Sequence, residues 1–118
     1  MDQLADLKPS IVEKMIDDNI VMIDVRREDE FRRTGVIKNV HLLTFFDEYG
    51  NYDVEKWMNE FEKLVPSKEQ TFVLICAHAN RTRNIGDFLV QQGYKHTAHL
   101  MGGMALWQQE LRETIEYK

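Results

Sequence analysis

The sequence predicts an α/β domain with a central, mostly parallel sheet of about four to five strands and helices on both of its faces. Two observations support this fold class. Short apolar runs at residues 20–25 and 71–75 are rich in β-branched side chains, and such runs are typical of strands buried on both faces of a sheet. Segments with apolar residues at helical spacing lie between these runs, and this alternation favours parallel strands joined by helices.

The first half of the chain is expected to alternate helices and strands. Pro9 suits the first turn of a helix, Gly35 suits a helix end, and Trp57 and Phe61 share one apolar helix face. The predicted elements are, in order, a helix over 7–19, a strand over 20–25, a short charged helix over 26–33, a weaker strand within 36–43, a turn at 47–51 and an amphipathic helix over 53–64.

The second half contains the most hydrophobic strand, residues 71–75, which leads directly into Cys76. Its hydrophobicity favours a central position in the sheet. The working sites of parallel sheets lie outside the carboxyl ends of the strands, so Cys76 is the first candidate functional residue. The predicted elements that follow are a loop over 77–82, a helix that stops at Gly93, a strand over 97–100, a turn at Gly102-Gly103 and a helix over 104–115.

The composition excludes several classes of protein. A length of 118 residues fits one domain covering 1–118, and a net charge of 15 − 20 = −5 argues against nucleic acid or an anionic membrane as partner. One cysteine excludes an internal disulfide and a Cys-rich zinc site. His41, His96 and His99 form no recognisable ligand set, so we expect neither metal nor cofactor. There is no apolar run of about 20 residues and no signal-peptide pattern at the start, so the expected location is the cytoplasm.

Cys76 is followed by small and polar residues that lead into a helix. A helix beginning near Arg81 or Thr82 offers free amides and a positive dipole end to an anion such as a thiolate. Arg81 adds a permanent charge and Thr82 a hydroxyl donor, so Cys76 is a candidate nucleophile at neutral pH. The alternative is an inert buried cysteine, the usual state of a lone cysteine after an apolar strand. The candidate anion-binding loop comprises Ala77, His78, Ala79, Asn80, Arg81 and Thr82.

Three separated motifs give the chain a family resemblance. They are Ile23-Asp24-Val25-Arg26 with Glu30-Phe31 and Gly35-Val36-Ile37, the loop from Cys76 to Arg81-Thr82, and the segment Leu100-Met101-Gly102-Gly103-Met104-Ala105-Leu106-Trp107. In order and spacing they resemble a single-domain rhodanese, and they cover residues from about 20 to 107. The resemblance implies a sulfurtransferase fold in which Cys76 carries a persulfide and the loop amides point at its outer sulfur.

The length of the loop after Cys76 distinguishes the sulfurtransferases from the phosphatases that share this fold. Four residues lie between Cys76 and Arg81, which is similar to the sulfurtransferases, whereas the related phosphatases use five. Many active rhodaneses have Arg and Gly where this chain has Ala77 and Ala79, and His where it has Val36. We interpret these departures as changes in loop shape and substrate choice that weaken the case for dianionic thiosulfate. His78 is either a proton donor, an anion contact or simply exposed.

The remaining candidate residues are expected to support the loop. Asp24, Arg26 and Glu30 are interpreted as an ion-paired network that fixes a strand-to-helix turn, because buried charges need partners. Gly102 and Gly103 permit positive φ or a close backbone approach. Trp107 is a core aromatic that also walls one side of the pocket.

Three functions remain open at this point. The first is a sulfurtransferase that moves sulfur from thiosulfate, a polysulfide or a persulfide to cyanide, a small thiol or a protein sulfur acceptor through Cys76. The second is a regulatory or persulfide-carrying module without turnover, which the departures at Ala77, Ala79 and Val36 favour. The third is a phosphatase or arsenate reductase, against which the spacing of the loop argues.

Overall fold

The computed structural model describes residues 3–118, and within them a five-stranded sheet forms the centre of the fold. All of its strand pairs are parallel. In space the strands follow the order β1-β5-β4-β2-β3, so β4 is the central strand, as its apolar sequence predicts. Along the chain the strands are β1 (Ala5–Leu7), β2 (Val21–Asp24), β3 (His41–Leu42), β4 (Phe72–Ile75) and β5 (Thr97–Leu100).

Helices cover both faces of this sheet, which confirms the predicted α/β class. In the described part of the chain they are α1 (Pro9–Met15), α2 (Glu28–Thr34), α3 (Val54–Leu64), α4 (Asn80–Gln91) and α5 (Gly103–Gln109). One core layer joins α3 and α4 to Leu74 and Cys76, while the other joins α1 and α5 to Val73 and Ile75. This division follows from the two-residue side-chain period of a strand, which sends alternate residues of β4 to opposite faces.

The structure differs from the predicted elements near the amino end. The expected helix over 7–19 is only Pro9–Met15, and β1 precedes it, pairing with β5 at the edge of the sheet. In this register Asp6 lies opposite His99. Ala5–Leu7 is too short to show an alternating pattern, so only the pairing with β5 identifies it as a strand.

The weaker strand expected within 36–43 is confirmed as the two residues His41–Leu42, while Val36 forms an isolated antiparallel bridge with Ile115. The extent predicted for the last helix is wrong. The last helix ends at Gln109 instead of residue 115, and Leu111 follows in a left-handed conformation with φ 57°. The chain turns back at this point, since the Trp107 indole N–H donates to the Glu113 carbonyl at 2.9 Å.

Helix α3 begins as its sequence predicts. The Asp53 carboxylate accepts a hydrogen bond from the Lys56 amide at 3.1 Å and so satisfies one of the free amides of the first turn. Trp57 and Phe61 bury the apolar face of this helix against the sheet. Among residues 3–118, no helix is both long enough and apolar enough to cross a membrane.

Candidate active site

Cys76 lies at the carboxyl end of the central strand, one residue beyond β4, with its side chain only 1% exposed. The helix after it begins at Asn80, slightly earlier than the sequence predicts. Ala79 caps this helix in the left-handed region, with φ 70°. An L-residue in that conformation costs about 1–2 kcal/mol, so the loop holds a strained backbone at the position where the resemblance leads one to expect glycine.

The amides of the loop are free to bind an anion. Within the described residues, no backbone N–H from Ala77 to Thr82 donates to another protein group, and the first amide to do so is that of Arg83, which donates to the Ala79 carbonyl at 3.2 Å. Free amides at a helix start point along the axis toward the preceding loop and carry the positive end of the helix dipole. Cys76 immediately precedes this loop, and helix starts of this kind are sites where anionic groups bind.

The carbonyls of the same loop are held by α5. The Met104 amide donates to the Cys76 carbonyl at 2.8 Å, and the Ala105 amide donates to the Ala77 carbonyl at 2.9 Å. These contacts require an unusually close approach, because a Cβ on Gly103 would lie 2.4 Å from the Ala77 carbonyl oxygen. Gly102 precedes it as the left-handed cap of α5, with φ 71°. The Gly102-Gly103 turn therefore brings α5 against the backbone of the Cys76 loop.

The loop arginine is bound by a carboxylate from α2. Both terminal nitrogens of Arg81 donate to Glu30, each at 2.7 Å. Glu30 also accepts from the Arg27 amide at 3.1 Å as part of the capping box of α2. Burial alone would raise the pKa of Glu30, but these hydrogen bonds and the charges of Arg81 and Arg27 outweigh it and lower the pKa to about 2. The positive charge of Arg81 is therefore largely compensated before any substrate binds.

Asp24 and Arg26 form a second, separate ion pair. Both are buried, and the Arg26 Nη2 and Nε atoms donate to the Asp24 carboxylate at 2.8 and 3.0 Å. The remaining guanidinium donors reach the Thr34 hydroxyl at 2.7 Å and the Gly35 carbonyl at 3.0 Å. This pair ties the end of β2 to the end of α2, whereas Glu30, which the sequence grouped with it, binds Arg81.

A cavity of about 190 Å³ lies beside the loop. His78, which is exposed, and Ala77 line one side of it, and Arg26 and Arg33 contribute positive charge. The residues of α5 that line it are Met104, Ala105 and Gln108. Trp107 is not among them, because it is fully buried in the core on the face covered by α1 and α5.

Sequence reasoning missed a polar chain behind Cys76. The Thr82 hydroxyl oxygen lies 3.4 Å from the Cys76 sulfur and 2.7 Å from His99 Nδ1. The other ring nitrogen of His99, Nε2, contacts the Asp6 carboxylate. All residues of β5 are buried, and a histidine inside such a strand needs a buried polar partner. The histidine within the predicted strand over 97–100 was therefore the sequence signal that could have indicated this contact. His96 precedes β5 and is exposed.

No described residues suggest a metal centre. Within residues 3–118, no group of three or more His, Cys, Asp or Glu side chains is placed to hold a metal ion. The chemistry available around Cys76 is that of a single thiol, a hydroxyl, free amides and compensated charges. Burial of Cys76 fits an inert cysteine as well as a reactive one, so the polar partners of its sulfur and loop distinguish the two.

The chain is similar to known proteins both in sequence and in structure. The chain is 28% identical over 96 residues to a putative sulfurtransferase, YtwF, of Bacillus subtilis, covering 81% of each protein. It is 22% identical over 117 residues to the thiosulfate sulfurtransferase GlpE of Pseudomonas syringae, covering 98% of this chain and 99% of that one. The solution structure of a polysulfide-sulfur transferase homodimer from Wolinella succinogenes superposes with a TM-score of 0.74 at 25% identity, over 98% of this chain and 80% of the other.

The profile of the family described as the rhodanese-like domain matches residues 8–110. This match covers most of the chain, including both ion pairs, the Cys76 loop and the Gly102-Gly103 turn. The protein therefore belongs to the rhodanese-like domain family.

Proposed function

We propose that this protein, working as one domain over residues 1–118, is a sulfurtransferase that carries sulfur as a persulfide on Cys76. The observation that carries the proposal is the placement of the Cys76 sulfur at the end of β4, before a loop whose amides have no acceptor among residues 3–118. Such donors stabilise negative charge on a sulfur without any reorganisation during the reaction. The names of the relatives, two sulfurtransferases and a polysulfide-sulfur transferase, support the same chemistry.

The reaction takes place in two displacements on sulfur. The Cys76 thiolate attacks the outer sulfur of the donor, a new S–S bond forms, and the remainder of the donor leaves with the electron pair of the bond that breaks. An acceptor thiolate or cyanide then attacks the terminal sulfur, and the Cys76 thiolate leaves. The free loop amides bind the negative charge of the sulfur in both steps, and the kinetics are those of a ping-pong enzyme.

The charges of the site favour a donor with little negative charge. Ala77 contributes no cation, and Arg81 is already paired with Glu30 at 2.7 Å. The cations that line the adjacent cavity are Arg26, which is bound to Asp24, and Arg33, which is largely exposed. We therefore expect a persulfide or polysulfide to be a better donor than dianionic thiosulfate.

Intact-mass spectrometry after incubation with each donor tests this function. Wild-type protein should gain the mass of one sulfur atom, and the Cys76→Ala variant should gain none. Because Cys76 is the only cysteine, any sulfur added reports this position. Absence of a mass gain with thiosulfate, polysulfide and persulfide donors would refute the proposal.

A second candidate function is a persulfide carrier without turnover. The compensation of Arg81 by Glu30 and the burial of Cys76 favour it, since both reduce access and attraction for small anionic substrates. In this case the persulfide forms but passes to small thiols no faster than it decays in buffer. Rapid transfer to glutathione or cyanide would exclude the carrier and leave the enzyme.

A further inference from the structure

A continuous set of polar contacts runs from the buried Cys76 sulfur to the protein surface. Thr82 and His99 are fully buried, whereas the Asp6 side chain is 40% exposed. The distances are 3.4 Å from Cys76 Sγ to Thr82 Oγ1 and 2.7 Å from Thr82 Oγ1 to His99 Nδ1, and His99 Nε2 contacts Asp6. Arg83 in turn donates to both Asp6 carboxylate oxygens at 3.2 Å.

The protonation states of Cys76, Thr82 and His99 are coupled through these hydrogen bonds. The Thr82 hydroxyl has one proton, so it donates either to His99 Nδ1 or to the Cys76 sulfur. When Nδ1 is bare, Thr82 donates to it and accepts from the Cys76 thiol. When Nδ1 carries a proton, Nδ1 donates to Thr82, and the hydroxyl is released to donate to a thiolate. The protonation of His99 Nδ1 thus decides whether the sulfur receives a hydrogen bond.

We propose that Thr82, His99 and Asp6 form a proton relay that ionises Cys76 and delivers its proton to solvent at Asp6. The S–H bond breaks and its electron pair stays on sulfur, while the proton passes to Thr82 Oγ1. The former hydroxyl proton of Thr82 moves to His99 Nδ1. The Nε2 proton passes to the Asp6 carboxylate and from there to water. Nothing is oxidised or reduced, and the thiolate gains the Thr82 hydroxyl as a donor.

The surroundings of His99 keep its ring ready to accept this proton. Burial lowers the pKa of His99, and Asp6 opposes this effect through its charge and hydrogen bond. From α4, the charge of Arg83 lowers the pKa further and that of Asp87 raises it. The adjacent strand β4, whose residues are all apolar, contributes no titratable group. His99 is therefore neutral near pH 7, with Nδ1 free to accept when Nε2 donates to Asp6.

The roles of the three residues differ. Thr82 touches the reacting sulfur and is a candidate catalytic residue, whereas His99 and Asp6 act through it and are positioning residues. The inference deepens the proposed function, since a ready thiolate is the nucleophile of the first displacement. Its tests measure ionisation of the Cys76 thiol directly, so they can refute the relay whether or not the protein transfers sulfur.

The first test compares two signals during a pH titration of the wild-type protein. Absorbance near 240 nm, corrected with Cys76→Ala, reports the Cys76 thiolate, and ring ¹⁵N NMR shifts report the protons of His99. The relay predicts that Nδ1 changes from its bare to its protonated form with the same midpoint as the thiolate. A thiolate that forms while Nδ1 stays bare, or with a separate midpoint, overturns the relay.

The second test is a mutant cycle read by the midpoint of thiolate formation. Thr82→Val, which removes the hydroxyl at similar volume, should raise the midpoint by about one pH unit, equivalent to about tenfold less thiolate. Thr82→Ser keeps the hydroxyl and should restore the wild-type midpoint. Circular dichroism checks that each variant folds. If Thr82→Val does not fold, the NMR titration of the wild-type protein still tests the relay.

Asp6→Asn separates an effect that needs Thr82 from one that does not. Loss of the carboxylate charge favours a thiolate through space and lowers the midpoint of thiolate formation. The amide can also donate to a bare Nε2, which a carboxylate cannot do, and so favours the His99 form with a proton on Nδ1. This second effect reaches the sulfur only through the Thr82 hydroxyl, so the midpoint should fall further in the wild-type background than in Thr82→Val. An equal fall in the two backgrounds, or no fall in either, overturns the relay.

Discussion

Replacement of Gly103 by alanine should both destabilise the protein and disable its loop. A Cβ at this position would lie 2.4 Å from the Ala77 carbonyl oxygen and 2.6 Å from the Cys76 carbonyl oxygen. Ordinary carbon–oxygen contacts are about 3.3–3.6 Å, so α5 and the loop must separate by about 1 Å. That movement weakens the hydrogen bonds from Met104 and Ala105 to the same two carbonyls.

The magnitude follows from separable contributions. Gly103 has φ 60°, and an L-residue there costs about 1–2 kcal/mol, of which about 0.4–1 is recovered because alanine restricts the unfolded chain. Overpacking adds about 1–3 kcal/mol. The free energy of unfolding should therefore fall by about 3 kcal/mol, within a range of about 1–5 kcal/mol. A displacement of about 1 Å at a reacting group also costs on the order of 100-fold in rate.

Gly50→Ala is the matched control. Gly50 has φ 80°, but a Cβ there would meet no atom within 4 Å, so this variant carries the conformational cost without the clash and should lose only about 1 kcal/mol. Urea unfolding followed by circular dichroism gives both values, and the time course of mass gain with a persulfide donor gives both rates. Equal stability of the two variants, with unchanged rates of persulfide formation, would refute the role assigned to the Gly103 contact.

Three further substitutions test other parts of the site and scaffold. The pKa of Glu30 is lowered from 4.5 to about 2, so its ion pair stabilises the fold fully above pH 4.5 and less as pH falls toward 2. Glu30→Gln should thus lose roughly 3 kcal/mol at pH 7 and flatten the acid dependence of urea unfolding in that window. Ala79→Gly should gain about 0.5–1 kcal/mol in the same assay, because relief of the left-handed strain exceeds the entropy cost of glycine. Asp53→Ala should lose about 1 kcal/mol, because the Lys56 amide loses its cap.

Each of these expectations has an outcome that contradicts it. A Glu30→Gln variant as stable as wild type at pH 7 would show that the pair with Arg81 contributes nothing measurable. A loss of stability in Ala79→Gly would mean that the left-handed backbone at this residue is not strained. Asp53→Asn, which keeps an oxygen acceptor, should stay close to wild type, and an equal loss in both Asp53 variants would exclude capping.

The features that the sequence predicted correctly depend on local patterns. The uniform hydrophobicity of residues 72–75 identified the central strand and, through it, the position of Cys76 at the edge where parallel strands end. The bounds of the strand over 97–100 agree with β5. The Gly102-Gly103 pair predicted a close approach, because glycine is the residue that permits one.

The features that the sequence did not predict depend on contacts between residues that are far apart along the chain. Arg81 binds Glu30, which lies 51 positions earlier in the chain, and no pattern within either segment points to the other. His99 and Asp6 are 93 positions apart and meet only because β1 pairs with β5. The last helix ended early for the same reason, since the bridge between Ile115 and Val36 draws the chain away from the helix axis.

The position of β1 has a consequence for how the protein can be divided. The matched family region begins at residue 8, whereas β1 ends at Leu7. A fragment cut at the family boundary would lose β1 and turn β5 into an edge strand with a row of unpaired backbone groups. Such edges recruit strands from other molecules and promote aggregation. The short segment Ala5–Leu7 therefore protects the sheet from self-association as well as supplying Asp6.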